Sequence, residues 1–209
     1  HPAMWATLFI IDPLYTLPLL VGVLLAAVRP QALSTTTVLR SALAISTLYI
    51  AWSWTAQGIV KNNVESALAD TNLADAPVFV TPTPLNTLLW RAVVMTEDGY
   101  LEGFDSLLVD EGEMQFDAYR SDRQALEAAS NIWAVDRLRW FSRDFMRASV
   151  VNDQLVLADL RMGSEPTYVF THVVAARGNP HWTPIPTVLL SMSFEDRMLN
   201  ETWQRIWSE

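Results

Sequence analysis

Two apolar blocks stand at the front of the chain. The first opens with Phe9-Ile-Ile-Asp-Pro-Leu-Tyr-Thr-Leu-Pro-Leu-Leu20 and carries no charge from Leu14 to Val28. The second, Ser41 to Val60, is twenty uncharged residues long. Asp12 followed by Pro13 is a helix-start pair, because the carboxylate accepts from free backbone N–H groups while proline at the first helical position gives up a donor that had no partner. A helix is therefore predicted from Pro13 to Val28. At about 1.5 Å per residue the first block covers roughly 23 Å and the second about 30 Å, against a hydrocarbon core of about 30 Å. The second block also ends in Tyr49, Trp52 and Trp54, rings suited to a headgroup boundary. Neither block shows the polar stripe of a water-facing helix. The pattern thus predicts a transmembrane helical hairpin within residues 1–62, with helices at about 13–28 and 41–60 joined by the connector Arg29 to Arg40. Its two arginines place the connector in the cytoplasm by the positive-inside rule, with Asp12 and everything after Lys61 on the other side.

After Val60 the pattern changes. Lys61 to Asp75 continues as helix, and Ala76 to Pro84 is extended because its three prolines forbid helix. Leu88 to Met95 and Tyr100 to Leu108 read as a hairpin about Thr96-Glu-Asp-Gly99. Helices are predicted over 121–129 and 131–144, then a second hairpin about Asn152-Asp153, a strand over 168–176 and a last helix over 193–207. Residues 63–209 are accordingly an α+β soluble domain with a largely antiparallel sheet. The boundary falls near residues 60–64.

Charge sharpens this division. The net charge is −9, yet residues 1–60 hold two Arg and one Asp, so the acid lies almost entirely in the second part. Such a balance argues against nucleic acid as a partner, which needs a basic face. The partner expected from the pattern is the lipid bilayer; a protein partner is not identified by it. Cysteine is absent, which removes disulfides, thiolate metal sites and Cys nucleophiles. The opening His1-Pro-Ala-Met4 reads as the start of a fragment whose N-terminal part lies upstream.

Several motifs resemble one family. They are Thr7-Leu-Phe-Ile-Ile-Asp-Pro-Leu-Tyr-Thr-Leu-Pro-Leu-Leu20, Thr81-Pro-Thr-Pro-Leu-Asn-Thr-Leu-Leu-Trp-Arg91, Gly99-Tyr-Leu-Glu-Gly-Phe104, Arg139-Trp-Phe-Ser-Arg143 and Asp159-Leu-Arg-Met-Gly163. In this order they resemble the bacterial membrane-bound metal-dependent hydrolases, inner-membrane proteins also described as LexA-binding. The resemblance implies a multi-pass inner-membrane protein with a C-terminal soluble domain, which the positive-inside rule makes periplasmic, and a divalent metal, zinc or similar, held mostly by upstream residues. Within this chain it carries over Asp12 alone.

Candidate chemistry rests on few residues. Asp12 is a candidate metal ligand or general base, since an ionisable group at membrane depth is expensive and usually functional; the same Asp-Pro pair is also explained by a helix N-cap. Asp159 and Arg161 share one face of a strand end and, with Arg91, Glu97, Glu102 and Asp105, line a polar pocket or form an internal ion-pair network. His172 and His181 lack metal-ligand spacing and read as structural. No Gly-rich phosphate loop and no Gly-x-Ser-x-Gly elbow is present. Two functions follow: a metal-dependent hydrolase of the inner membrane, or a non-enzymatic membrane-anchored protein whose acidic domain binds or regulates a partner.

Overall fold

A computed structural model describes residues 4–28, 34–190 and 203–208. Helix α1 (Pro13–Val28) packs against the long helix α2 (Thr35–Leu68). The contact face of the pair is small: a Cβ added at Gly22 would lie 2.8 Å from that of Ala42, so only glycine permits this approach. Ser46 Oγ donates to the Tyr15 carbonyl at 2.9 Å, and Ser53 Oγ to that of Thr7.

The expected transmembrane hairpin is corrected here. Among the described residues no helix is long and apolar enough to cross a membrane. Helix α1 has 16 residues, about 24 Å at 1.5 Å per residue, short of a core of about 30 Å. Helix α2 has the length, but Ser46, Ser53 and Gln57 dilute its apolar run, which Arg40 and Lys61 bound. It does not stop at residue 60 either. Ala56, Val60, Val64 and Leu68, spaced four apart on one face, are buried against the sheet that follows. The expected break near 60–64 thus lies inside a continuous helix. Part of the connector, residues 29–33, lies outside the described residues.

Beyond α2 come β1 (Val78–Pro82), β2 (Leu89–Met95), β3 (Gly99–Ser106) and β4 (Asp117–Arg120), paired in that order as one antiparallel sheet. Helices α3 (Arg123–Ala128) and α4 (Trp133–Ser142) lead to β5 (Met146–Val151) and β6 (Gln154–Asp159). The short ribbon β7 (Gly163–Ser164) and β8 (Thr167–Tyr168) precedes β9 (Thr171–Ala176) and β10 (Thr183–Leu189). The second sheet has the order β10-β9-β6-β5, and it too is antiparallel throughout. Strand β10 escapes a sequence reading because Pro184 and Pro186 argue against a strand; it sits at a sheet edge, where missing N–H donors are tolerated. Of the last helix expected over 193–207, residues 193–202 lie outside the described residues, while 203–207 are helical.

The layers follow from strand alternation. Every residue of β2 is buried. Trp90, Ala92 and Val94 face α2, whereas Val93 and Met95 meet Phe145, Ala158, Leu160 and Tyr168 of the second sheet region. Leu155 and Leu157 point away from that interface, into α3 and α4. The order is therefore α2, first sheet, second sheet, then α3 with α4. A strand covered on both faces must be apolar at nearly every position, and β2 is, apart from Arg91.

Candidate functional site

Arg91 is where the two sheets are joined by polar chemistry. It projects from β2 on the face that meets the second sheet and is 2% exposed. Its Nε donates to Glu102 Oε1 on β3, its Nη1 to the Leu160 carbonyl at 2.7 Å and its Nη2 to Tyr168 Oη at 3.4 Å. The other oxygen of Glu102 accepts from the Glu165 backbone N–H at 3.1 Å. Tyr100 Oη donates to Glu165 Oε1 and lies 3.1 Å from Tyr168 Oη, and Arg147 closes the network on the same Glu165 oxygen. Burial, then hydrogen bonding to Glu165 and Tyr168, pushes the Tyr100 phenol above its ordinary value. Burial raises Tyr168 as well, against the opposing charge of Arg91. Both hydroxyls thus stay protonated, Tyr100 donating to Glu165 and Tyr168 accepting from Arg91.

Asp159 and Arg161 form a second, local unit at the end of β6. Arg161 Nε and Nη2 grip the two carboxylate oxygens at 2.9 and 2.6 Å, and the Arg161 backbone N–H donates to Oδ1 at 3.0 Å. This is a bidentate, buried pair. Phe141 lies under the guanidinium at 5.0 Å. Of the other predicted members, Asp105 instead accepts from Asn63 Nδ2 at 2.8 Å, on the α2 side of the first sheet. Glu97 belongs to the β2–β3 turn, away from both pairs. Arg91 and Arg161 do share a cavity wall, together with Leu8, Phe9, Phe104, Met162 and Val169.

Asp12 is held on every side. Its Oδ1 accepts the Leu14 and Tyr15 backbone N–H groups at 2.9 and 3.3 Å, and its Oδ2 accepts from Tyr49 Oη at 2.9 Å. Tyr49 accepts in turn from Thr87 Oγ1 at 3.1 Å, and Thr87 from Trp52 Nε1 at 3.2 Å. Burial, opposed by the Thr87 bond and reinforced by Asp12, pushes the Tyr49 phenol up to about 12. The relay ties the start of α1, the middle of α2 and the β1–β2 loop together. Two acceptor positions of Asp12 are filled by the helix start and another by a phenol that remains protonated, and among the described residues no group of three ligating side chains stands near enough together to hold a metal.

No family model, curated protein or solved structure matches this chain. The family resemblance therefore rests on its motifs.

Among the described residues the histidines hold no common site. His172, on β9, is half-buried; among the described residues its Nδ1 is enclosed without a hydrogen-bond partner, beside a cavity of about 90 Å³ lined by Phe141, Ser142, Met146 and Asp159. Burial, against the charge of Asp159, lowers its pKa. His181 is exposed, and His1 lies outside the described residues. Sequence reading missed the roles of Tyr49, Thr87, Tyr100, Glu165 and Tyr168. Tyr49 and Thr87 are 38 residues apart, and Tyr100 and Glu165 are 65 apart, separations at which no local pattern signals a contact.

Asp12 gives a direct test. Asp12→Ala is expected to lose the cap, about 0.5–2 kcal/mol, together with the acceptor of Tyr49, whereas Asp12→Asn keeps the cap and loses the charge–dipole part, about 0.3–1 kcal/mol, together with the charged acceptor of Tyr49. Thermal denaturation of both variants checks the order. Equal losses would show that the charge, and not the cap, is what the helix start needs.

Proposed function

We propose that this chain is a non-enzymatic, membrane-associated binding protein: the helix pair holds it to a lipid phase and the acidic β region remains in water. The observation that carries this reading is the apolar surface of α1 and the first half of α2. Leu14, Leu17, Leu24, Leu43, Ile45 and Leu48 are each between 52 and 69% exposed, and no charged side chain lies between Asp12 and Val28 or between Arg40 and Lys61. Fully burying one such side chain stabilises by about 1.5–3 kcal/mol, so a surface of this extent implies an apolar counterpart. The reading concerns association with lipid and requires no crossing of the bilayer. It also suits the candidate residues: Asp12 is spent on a cap and a tyrosine, and Asp159 and Arg161 on each other, so each holds elements in place.

Flotation tests it. The full chain mixed with phosphatidylcholine vesicles is expected to rise with them, and the variant Leu17→Glu/Leu24→Glu/Leu48→Glu to stay with the soluble fraction. A wild-type chain that does not float would overturn the reading.

A further inference from the structure

At the foot of the apolar helix pair, where α2 meets the first sheet, lies a cavity of about 370 Å³. Among the described residues every ionisable side chain on its wall is a cation: Lys61, Arg143 and Arg161, set among Trp5, Trp54 and Phe145. This is unexpected in a chain of net charge −9. The neighbouring cavity of about 300 Å³ shares Met4, Ala6 and Arg161 with it, and its wall is mostly apolar. We propose that the paired cavities bind an anionic lipid, with its phosphate group between Lys61, Arg143 and Arg161 and the start of its acyl chain in the apolar compartment.

Three observations support this assignment beyond the count of charges. Arg161 is 5% exposed and held rigidly by Asp159 through Nε and Nη2, which leaves Nη1 outside that pair and available to a phosphate oxygen. Lys61 donates only to the neutral Gln57 Oε1, at 3.3 Å, and among the described residues has no carboxylate partner. Its position also matters, since Lys61 follows directly on the uncharged stretch of α2, with Trp54 edge-on to Trp5 at 5.6 Å beside it. Cations and tryptophans at the end of an apolar surface occupy the level at which lipid phosphates lie. Arginine and lysine divide the work in the usual way, a planar donor fork and a compact point charge.

The inference rests on the lipid association proposed above and is tested separately from it. An acidic protein is repelled by an anionic surface as a whole, so a preference for anionic vesicles must come from a local basic site. The full chain is expected to float more completely with vesicles of phosphatidylcholine containing phosphatidic acid than with phosphatidylcholine alone. Lys61→Gln/Arg143→Asn should abolish that preference while leaving flotation with neutral vesicles unchanged. Both residues are exposed, and Asn tolerates the left-handed backbone of residue 143 (φ 55°), so the fold is retained, which circular dichroism checks. Each basic residue near an anionic surface is worth about 1 kcal/mol, close to fivefold in affinity, so the double variant should lose on the order of 25-fold. Equal flotation with both vesicle types overturns the site and leaves the lipid association standing. No flotation with either removes both. Calorimetry with inorganic phosphate is the remaining arm: binding of phosphate alone, lost in the double variant and without any vesicle preference, would assign the cavity to a soluble phosphate compound and overturn the lipid source.

Discussion

Arg91→Leu is expected to lower the free energy of unfolding by about 3–5 kcal/mol, the usual cost of removing one partner from a buried ion pair. The magnitude follows from what is left behind. Glu102 is 3% exposed, and without the guanidinium its carboxylate keeps the Glu165 backbone N–H as its remaining hydrogen-bond donor. The Leu160 carbonyl and Tyr168 lose a donor at the same time. Removing Glu102 as well should restore much of the loss, because a well-packed apolar pair is often no less stable than a buried ionic one. Urea denaturation of Arg91→Leu and of Arg91→Leu/Glu102→Leu, with m unchanged between them, measures both quantities. A double variant as unstable as the single one would mean that the hydrogen bonds to Leu160 and Tyr168, and not the charge pair, join the two sheets.

Trp90→Ala is the other substitution with a large expected effect, again about 3–5 kcal/mol. Trp90 is fully buried, donates through Nε1 to the Thr87 carbonyl at 2.9 Å and packs with Ala56, Val60, Val64 and Leu68 of α2. The cavity left by alanine lies between helix and sheet, so the second half of α2 should lose hydrogen-exchange protection before the second sheet does. The same contact bears on truncation. A chain that begins at residue 65 lacks Ala56, Val60 and Val64 and bares the α2-facing side of β2, so it is expected to be recovered aggregated, whereas one that begins at residue 50 retains that cover. Equal solubility of the two truncated chains would show that α2 is not needed to close the first sheet.

Much of the local structure was legible without coordinates. Asp12-Pro13 marks the start of α1, and the carboxylate does accept the two backbone N–H groups that the pair implies. The turn at Asn152-Asp153 has both residues at positive φ, 50° and 58°, a conformation these side chains tolerate better than most, and it joins β5 to β6 as expected. Helices over 123–128 and 133–142 lie within the ranges that Ala and Glu content indicated for the first and apolar periodicity for the second. All these signals arise within a few residues, where spacing and turn chemistry decide.

What the uncharged blocks meant was not legible in the same way. Length and apolarity pointed to a pair of membrane-crossing helices, yet among the described residues no helix is long and apolar enough to cross, and α2 runs on to Leu68 because its last three turns have a sheet to cover. The site residues divide along the same line. The Asp159 and Arg161 contact is two residues long and follows from strand geometry, but Asp12 finds Tyr49 across 37 residues, Arg91 finds Leu160 across 69, and the cavity cations Lys61, Arg143 and Arg161 come from three distant parts of the chain. Where helices and hairpins begin and turn could be read along the chain, since backbone dihedrals and nearest neighbours settle those points. Which faces meet, which charges are paired and which cations converge on one cavity were decided only by the tertiary structure, because these depend on packing between elements whose separation along the chain carries no periodic signal.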